Sequence, residues 1–186
     1  MIEILKNNLT KIWTFPNKNI IKEGEVKHTL GSSMEISSKI RKYNPILRDT
    51  FIYAIGPGLQ KVIFHLLMST KSEVGFIVEK DTSTNYYSNL LWNSLDTNKN
   101  IRILEGNFKE IFGILLLNNL KMTDSEVYNY FKTCRPNVII FTFKEVKNEK
   151  YIEKIELEDE NKNKFYGYLY RKPYLENGLV SRFGIR

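Results

Sequence analysis

Phe51-Ile52-Tyr53-Ala54-Ile55-Gly56-Pro57-Gly58-Leu59 is the stretch whose reading decides the fold. Five apolar residues in a row suit a strand buried on both faces, as in a parallel sheet. Gly-Pro-Gly then breaks the chain. From Leu59 to Met68 the residues Val62, Ile63, Leu66 and Leu67 recur at helical spacing. Strand, tight glycine turn, helix is one half of a βαβ unit.

Working outward, the alternation continues. VGFIVE (74–79) reads as a second strand and residues 83–95 as a helix with Tyr87, Leu90, Leu91 and Leu95 on one face. IRILEG (101–106) reads as a third strand. The spacing assigns a helix to Phe108–Leu120 and another to Asp124–Phe131, with Thr123 or Asp124 as cap. NVIIFTF (137–143) reads as a fourth strand. Strands alternating with helices imply a parallel sheet with right-handed crossovers and helices on both faces. Upstream, Ile2, Leu5, Leu9 and Ile12 mark an amphipathic helix, and 33–43 another that ends before Pro45. Downstream, YIEKIELED and NKFYGYLYR alternate polar with apolar around ENKN, a β-hairpin signature. The expected fold is α/β, with a Rossmann-like parallel sheet and a C-terminal β-hairpin. Its expected divisions are a helical arm (1–24), a sheet domain (25–145), and hairpin and tail (146–186).

Bulk composition narrows the chemistry. The 186 residues carry a net charge of +7 with 42% hydrophobic content, so one core and an anionic partner are expected. No apolar run reaches the roughly 18 residues a membrane span needs. FGILLL and VIIFTF have the length of a strand or a buried helix. One cysteine, Cys134, and two histidines, His28 and His65, give neither an internal disulfide nor the usual ligand set of a metal site. No secretory leader is expected from MIEILKNNLTKIW, and Glu3 with no arginine argues against a cleaved presequence. Gly-x-Ser-x-Gly, Gly-Lys-Ser/Thr and His-Glu-x-x-His are all absent. Glu156, Glu158, Asp159 and Glu160 cluster in a lysine-rich turn and read as solvated charges. The aromatics Phe165, Tyr166, Tyr168 and Tyr170, beside Arg171 and Lys172, read as sheet cover or as stacking surface for bases.

Three features sit at successive strand ends, where such folds bind ligands. Gly56 and Gly58 allow close backbone approach at a helix start. Glu79 lies 23 positions after Gly56, near the spacing at which nucleotide-binding folds place an acid on the ribose hydroxyls. Asn107 follows the third strand in LEGNF.

KHTLGSSMEISSKI (27–40), IGPGLQKVIFHLL (55–67), VGFIVEKD (74–81) and NIRILEGNFKEI (100–111) together resemble the ribosomal RNA adenine dimethyltransferases and their mitochondrial transcription-factor relatives. The resemblance covers about residues 25–112. It implies an S-adenosylmethionine-dependent methyltransferase fold. It also implies a cofactor site of Leu30, Gly31, Gly56, Gly58, Glu79 and Asn107, with no metal. The departures are specific. Ser32, Ser33 and Met34 stand for Gln-Asn-Phe, Ala54 for an acid, Gln60 for a small residue and Asn107 for Asp. Read as the fourth strand, VIIFTF lacks the Asn-Leu-Pro-aromatic segment that follows it in the family, so Phe143 alone remains as a base-stacking remnant and no catalytic residue is assigned. A hairpin stands where the family has a helical domain.

The expectation is therefore a degenerate family member that binds RNA, ribosomal by the resemblance. It would be a structural subunit of a ribonucleoprotein such as a mitochondrial ribosome, with S-adenosylmethionine bound only if the pocket is retained. An active rRNA adenine methyltransferase and a mitochondrial transcription initiation factor are the alternatives. The expected compartment is the mitochondrion, otherwise the cytoplasm.

Overall fold

The computed structural model describes residues 2–15, 29–44, 50–79, 82–104, 106 and 108–173. The elements in chain order are α1 (Ile2–Thr14), α2 (Leu30–Tyr43), β1 (Ile52–Ile55), α3 (Gln60–Ser69), β2 (Val74–Val78), α4 (Thr82–Asn93) and β3 (Asn100–Leu104). β4 (Ile114–Leu117), α5 (Asp124–Thr133), β5 (Ile139–Thr142), β6 (Glu153–Glu158) and β7 (Lys164–Arg171) follow. One seven-stranded sheet takes them in the order β3-β2-β1-β4-β5-β7-β6. Strands β1 to β5 are parallel, and β7 lies antiparallel between β5 and β6. The hairpin thus extends the sheet, while residues 174–186 lie outside the described residues.

Alternation along each strand divides the core in two. Ile52 and Ala54 of β1, Ile114 and Leu116 of β4, and Ile139 and Phe141 of β5 face α1, α2, α3 and α4. Tyr53, Ile55, Leu115, Leu117 and Ile140 face the other way, toward Val127 and Phe131 of α5. Among the described residues, four helices therefore cover one face and a single helix covers the other. All four residues of β1, β4 and β5 are buried, and all but Thr142 are apolar, as suits strands covered on both faces.

One expectation fails here. Phe108–Leu120 is not a helix, because Ile114–Leu117 is β4, paired with β1 on one side and β5 on the other. NVIIFTF is accordingly the fifth strand, not the fourth. The helical spacing of Ile111, Ile114 and Leu115 arises by coincidence in a run that is buried on both faces. Gly113 opens this strand at φ +89°, a left-handed conformation that only glycine takes without strain. A Cβ there would lie 2.6 Å from the Phe51 carbonyl oxygen.

The flanks are tied by polar contacts. Buried Asn8 of α1 donates to the Asp96 carbonyl at 2.8 Å and accepts from the Asp96 N–H at 2.9 Å. Ser32 at the start of α2 bonds both backbone groups of Glu158, donating at 2.6 Å and accepting at 3.0 Å. Glu153 of β6 receives Lys39 at 2.5 Å and Lys42 at 3.1 Å.

Two outcomes follow from these contacts. Gly113→Ala should lower unfolding free energy by about 2–4 kcal/mol, through left-handed strain plus a backbone collision, as read by urea denaturation. The Lys39 hydrogen bond, ahead of those from Tyr43 and Lys42, holds the Glu153 carboxyl at about 2, below its ordinary 4.5. A depressed acid stabilises fully above its unfolded pKa and loses that contribution as pH falls through the folded one. Urea midpoints measured between these two values should therefore fall more steeply in the wild type than in Glu153→Gln.

Candidate functional site

The carboxyl ends of β1, β2 and β4 meet at the Gly56-Pro57-Gly58 turn. Gly56 and Gly58 both have positive φ, +94° and +80°. A Cβ on Gly56 would stand 3.0 Å from the Asn118 carbonyl oxygen and 3.1 Å from its Cβ, so the turn passes directly over the end of β4. Asn118 fastens it there. Its Nδ2 donates to the Pro57 carbonyl at 2.7 Å, its Oδ1 accepts from the Leu120 N–H at 3.2 Å, and its own N–H donates to the Ile55 carbonyl at 2.9 Å.

Leu59 is the cap residue of α3 and supplies no side-chain hydrogen bond, so the first N–H groups of α3 follow the turn without a side-chain cap. Such a helix start, entered through glycines, favours an electron-rich ligand. Beside it the Gln60 Nε2 is buried with no hydrogen-bond partner. Glu79 directly follows β2 with only 8% of its surface exposed, and its backbone carbonyl accepts from Asn85 of α4 at 3.0 Å. The Asn85 Oδ1 is buried without a partner.

The other expected site residues lie as follows. Asn107 lies outside the described residues. Leu30 and Gly31 open α2, whose first turn is anchored through Thr29 and Ser32 to Glu158. That is the end of β6, four strand positions from β1. Phe143 is 6% exposed and packs edge-on against Phe141 at 5.1 Å and tilted on Phe165 at 6.0 Å. Its ring belongs to the core, and stacking on a base would require it to leave.

Sequence reasoning missed Asn118 and Asn119. With β4 in place, the segment after the fourth strand is Asn118-Asn119-Leu120-Lys121. It retains an asparagine where the resemblance expects Asn-Leu-Pro-aromatic, but has neither the proline nor the ring. The signal was the apolar run Ile114–Leu117 ending abruptly in two amides. Asn119 is 2% exposed. Its Oδ1 accepts from the N–H groups of Phe143 and Lys144 at 3.1 and 2.9 Å, and its Nδ2 donates to the Lys144 carbonyl at 2.8 Å. Both amides are therefore committed to holding loops together.

The remaining reactive groups are structural. Burial pushes the Cys134 thiol up to about 12, and its S–H donates to the Tyr130 carbonyl. Burial, with Arg41 adding, lowers His65 to about 4, so it is neutral near pH 7 and accepts from Trp13 Nε1 at 3.4 Å. Among the described residues no cluster of His, Cys, Asp or Glu can hold a metal ion, and no helix is long and apolar enough to cross a membrane.

By sequence, no family model and no curated protein matches the chain. By structure, it is similar to a Pyrococcus horikoshii protein provisionally described as an RNA methyltransferase. That likeness has a TM-score of 0.64 at 11% identity, over 91% of this chain and 99% of the other. It is also similar to the N-methyltransferase NodS of Bradyrhizobium japonicum, with a TM-score of 0.57 at 7% identity over 78% and 98%. A third similar chain is provisionally described as a methyltransferase and was solved with S-adenosylhomocysteine. There the TM-score is 0.52 at 9% identity, over 76% of this chain and 49% of that one. The chain has the Rossmann-like fold of the S-adenosylmethionine-dependent methyltransferases. Removing the Asn119 amide should strand two N–H groups and a carbonyl. Asn119→Ala is expected to cost about 1–3 kcal/mol in denaturant unfolding.

Proposed function

We propose that this chain is a binding protein built on a methyltransferase fold, with RNA or a ribonucleoprotein as partner, and that it does not transfer methyl groups. The observation that carries this reading is the commitment of Asn118 and Asn119 to internal hydrogen bonds, with no aromatic residue in the segment that follows them. S-adenosylmethionine carries an already activated sulfonium, so a methyltransferase mainly aligns the acceptor with the methyl group. A target amine held by an amide carbonyl and a stacked ring has neither here.

The cofactor's adenosine half still finds suitable groups. The backbone at Gly56 and Gly58 allows close approach, and the Glu79 carboxylate can accept both ribose hydroxyls. These residues fit the group, so they would hold S-adenosylmethionine without using it as a methyl donor. Glu79→Ala should then weaken its binding by about 1–3 kcal/mol in calorimetry, the scale of a hydrogen bond to a charged group.

The net charge of +7 supports the RNA partner, since cations that neutralise phosphates release counterions and make binding salt-dependent. The family resemblance extends the proposal to ribosomal RNA and to a mitochondrial ribosomal particle. The same Gly56 turn and Glu79 also favour a second reading, an active adenine methyltransferase. Incubation with ribosomal RNA and methyl-labelled cofactor decides between them. The expected result is RNA affinity that falls with rising salt and no label on the RNA. Labelled adenines that vanish in Gly56→Arg would overturn the proposal in favour of the enzyme.

A further inference from the structure

We propose that the groove between α5 and the loop after β5 is a subsite for one nucleotide of single-stranded RNA, an inference that rests on the RNA-binding reading above. The groove encloses a cavity of about 290 Å³ beside Asn119, at the carboxyl edge of the sheet. Its floor is apolar: Val127 and Val146 are buried and Met122 is half-buried. Its walls carry one exposed ring, Tyr128, and three exposed lysines, Lys132, Lys144 and Lys147, beside the carboxylates of Asp124 and Glu145. Tyr128 keeps 45% of its surface open although it lies on the only helix that covers this face among the described residues.

These groups match the parts of a nucleotide. A base gains most by stacking on an aromatic face, and an apolar floor shields the stack from water. The Lys132 ammonium lies 5.2 Å from the centre of the Tyr128 ring. A base stacked on that ring therefore has a cation within reach of its phosphate. Lys147 is already paired with Asp124 at 2.8 Å. Among the described residues neither Lys132 nor Lys144 is held in an ion pair; Lys132 rests over the Tyr128 ring and Lys144 lies in the field of Asp124.

The walls are also held in place. The Val146 N–H donates to the Tyr170 hydroxyl at 2.8 Å, and both backbone groups of Lys144 are bonded to Asn119. Across the groove, Thr123 and Glu126 form a reciprocal cap on α5. The groove is preformed, which limits the ordering cost of binding.

The test is anisotropy of a labelled, mixed-sequence single-stranded RNA oligonucleotide over a salt series, with thermal melts confirming that each variant folds. Tyr128→Ala, tolerated on an exposed helix face, should weaken binding about tenfold, while Tyr128→Phe should stay near wild type. Lys132→Ala and Lys144→Ala should each reduce the salt slope by about 0.7, the share of one phosphate contact on a single strand. If the wild type binds and Tyr128→Ala binds equally well with the same slope, the groove is not the subsite and the RNA-binding reading stands. If the wild type binds no RNA at low salt, both fall.

Discussion

Two adjacent amides hold the carboxyl edge of this sheet together. A central parallel strand runs out of ladder partners where it ends, and its neighbours' loops then carry buried N–H and C=O groups that must be satisfied. Asn118 answers for the loop on the β1 side by bonding the Pro57 carbonyl. Asn119 answers for the loop on the β5 side by bonding Phe143 and Lys144. An asparagine side chain offers both a donor and an acceptor, so each residue serves groups of either polarity. The glycine turn, the burial of Phe143 and one wall of the α5 groove all depend on these two side chains.

The same commitment separates binding from chemistry. An amide that closes a loop is not available to orient a substrate. The proposed adenosine side, by contrast, relies on backbone shape at Gly56 and Gly58 and on the carboxylate of Glu79. The proposed function rests on this difference, because affinity comes from many contacts and alignment from a few. The asymmetric sheet points in the same direction. Among the described residues four helices cover one face and α5 the other, with a lysine-bearing groove beside α5.

Much of the fold was legible from residue order. The runs at 51–55, 74–79 and 101–106 and the alternating tail became β1, β2, β3 and the β6–β7 hairpin within a few residues. Alternation or a glycine turn marked each of them. β4 was not legible, since Ile114–Leu117 is four residues long, buried on both faces and spaced like a helix face. Period alone cannot separate those cases. Missing it also moved the segment after the fourth strand from Asn118–Lys121 to the end of NVIIFTF, and hid the two amides.

Sequence alone therefore determined the α/β class, the Gly56 turn and the positions of β1, β2 and β3, because local backbone requirements and hydrophobic period act over a few residues. Tertiary structure alone decided that Ile114–Leu117 is a strand, that Phe143 is core, and that α2 opens against the end of β6. Each of these depends on a partner distant in the chain: β1 and β5 for β4, Phe165 for Phe143, and Glu158 for Ser32. Pairing and packing energies between such segments enter only when the chain has folded, so no local pattern can encode them.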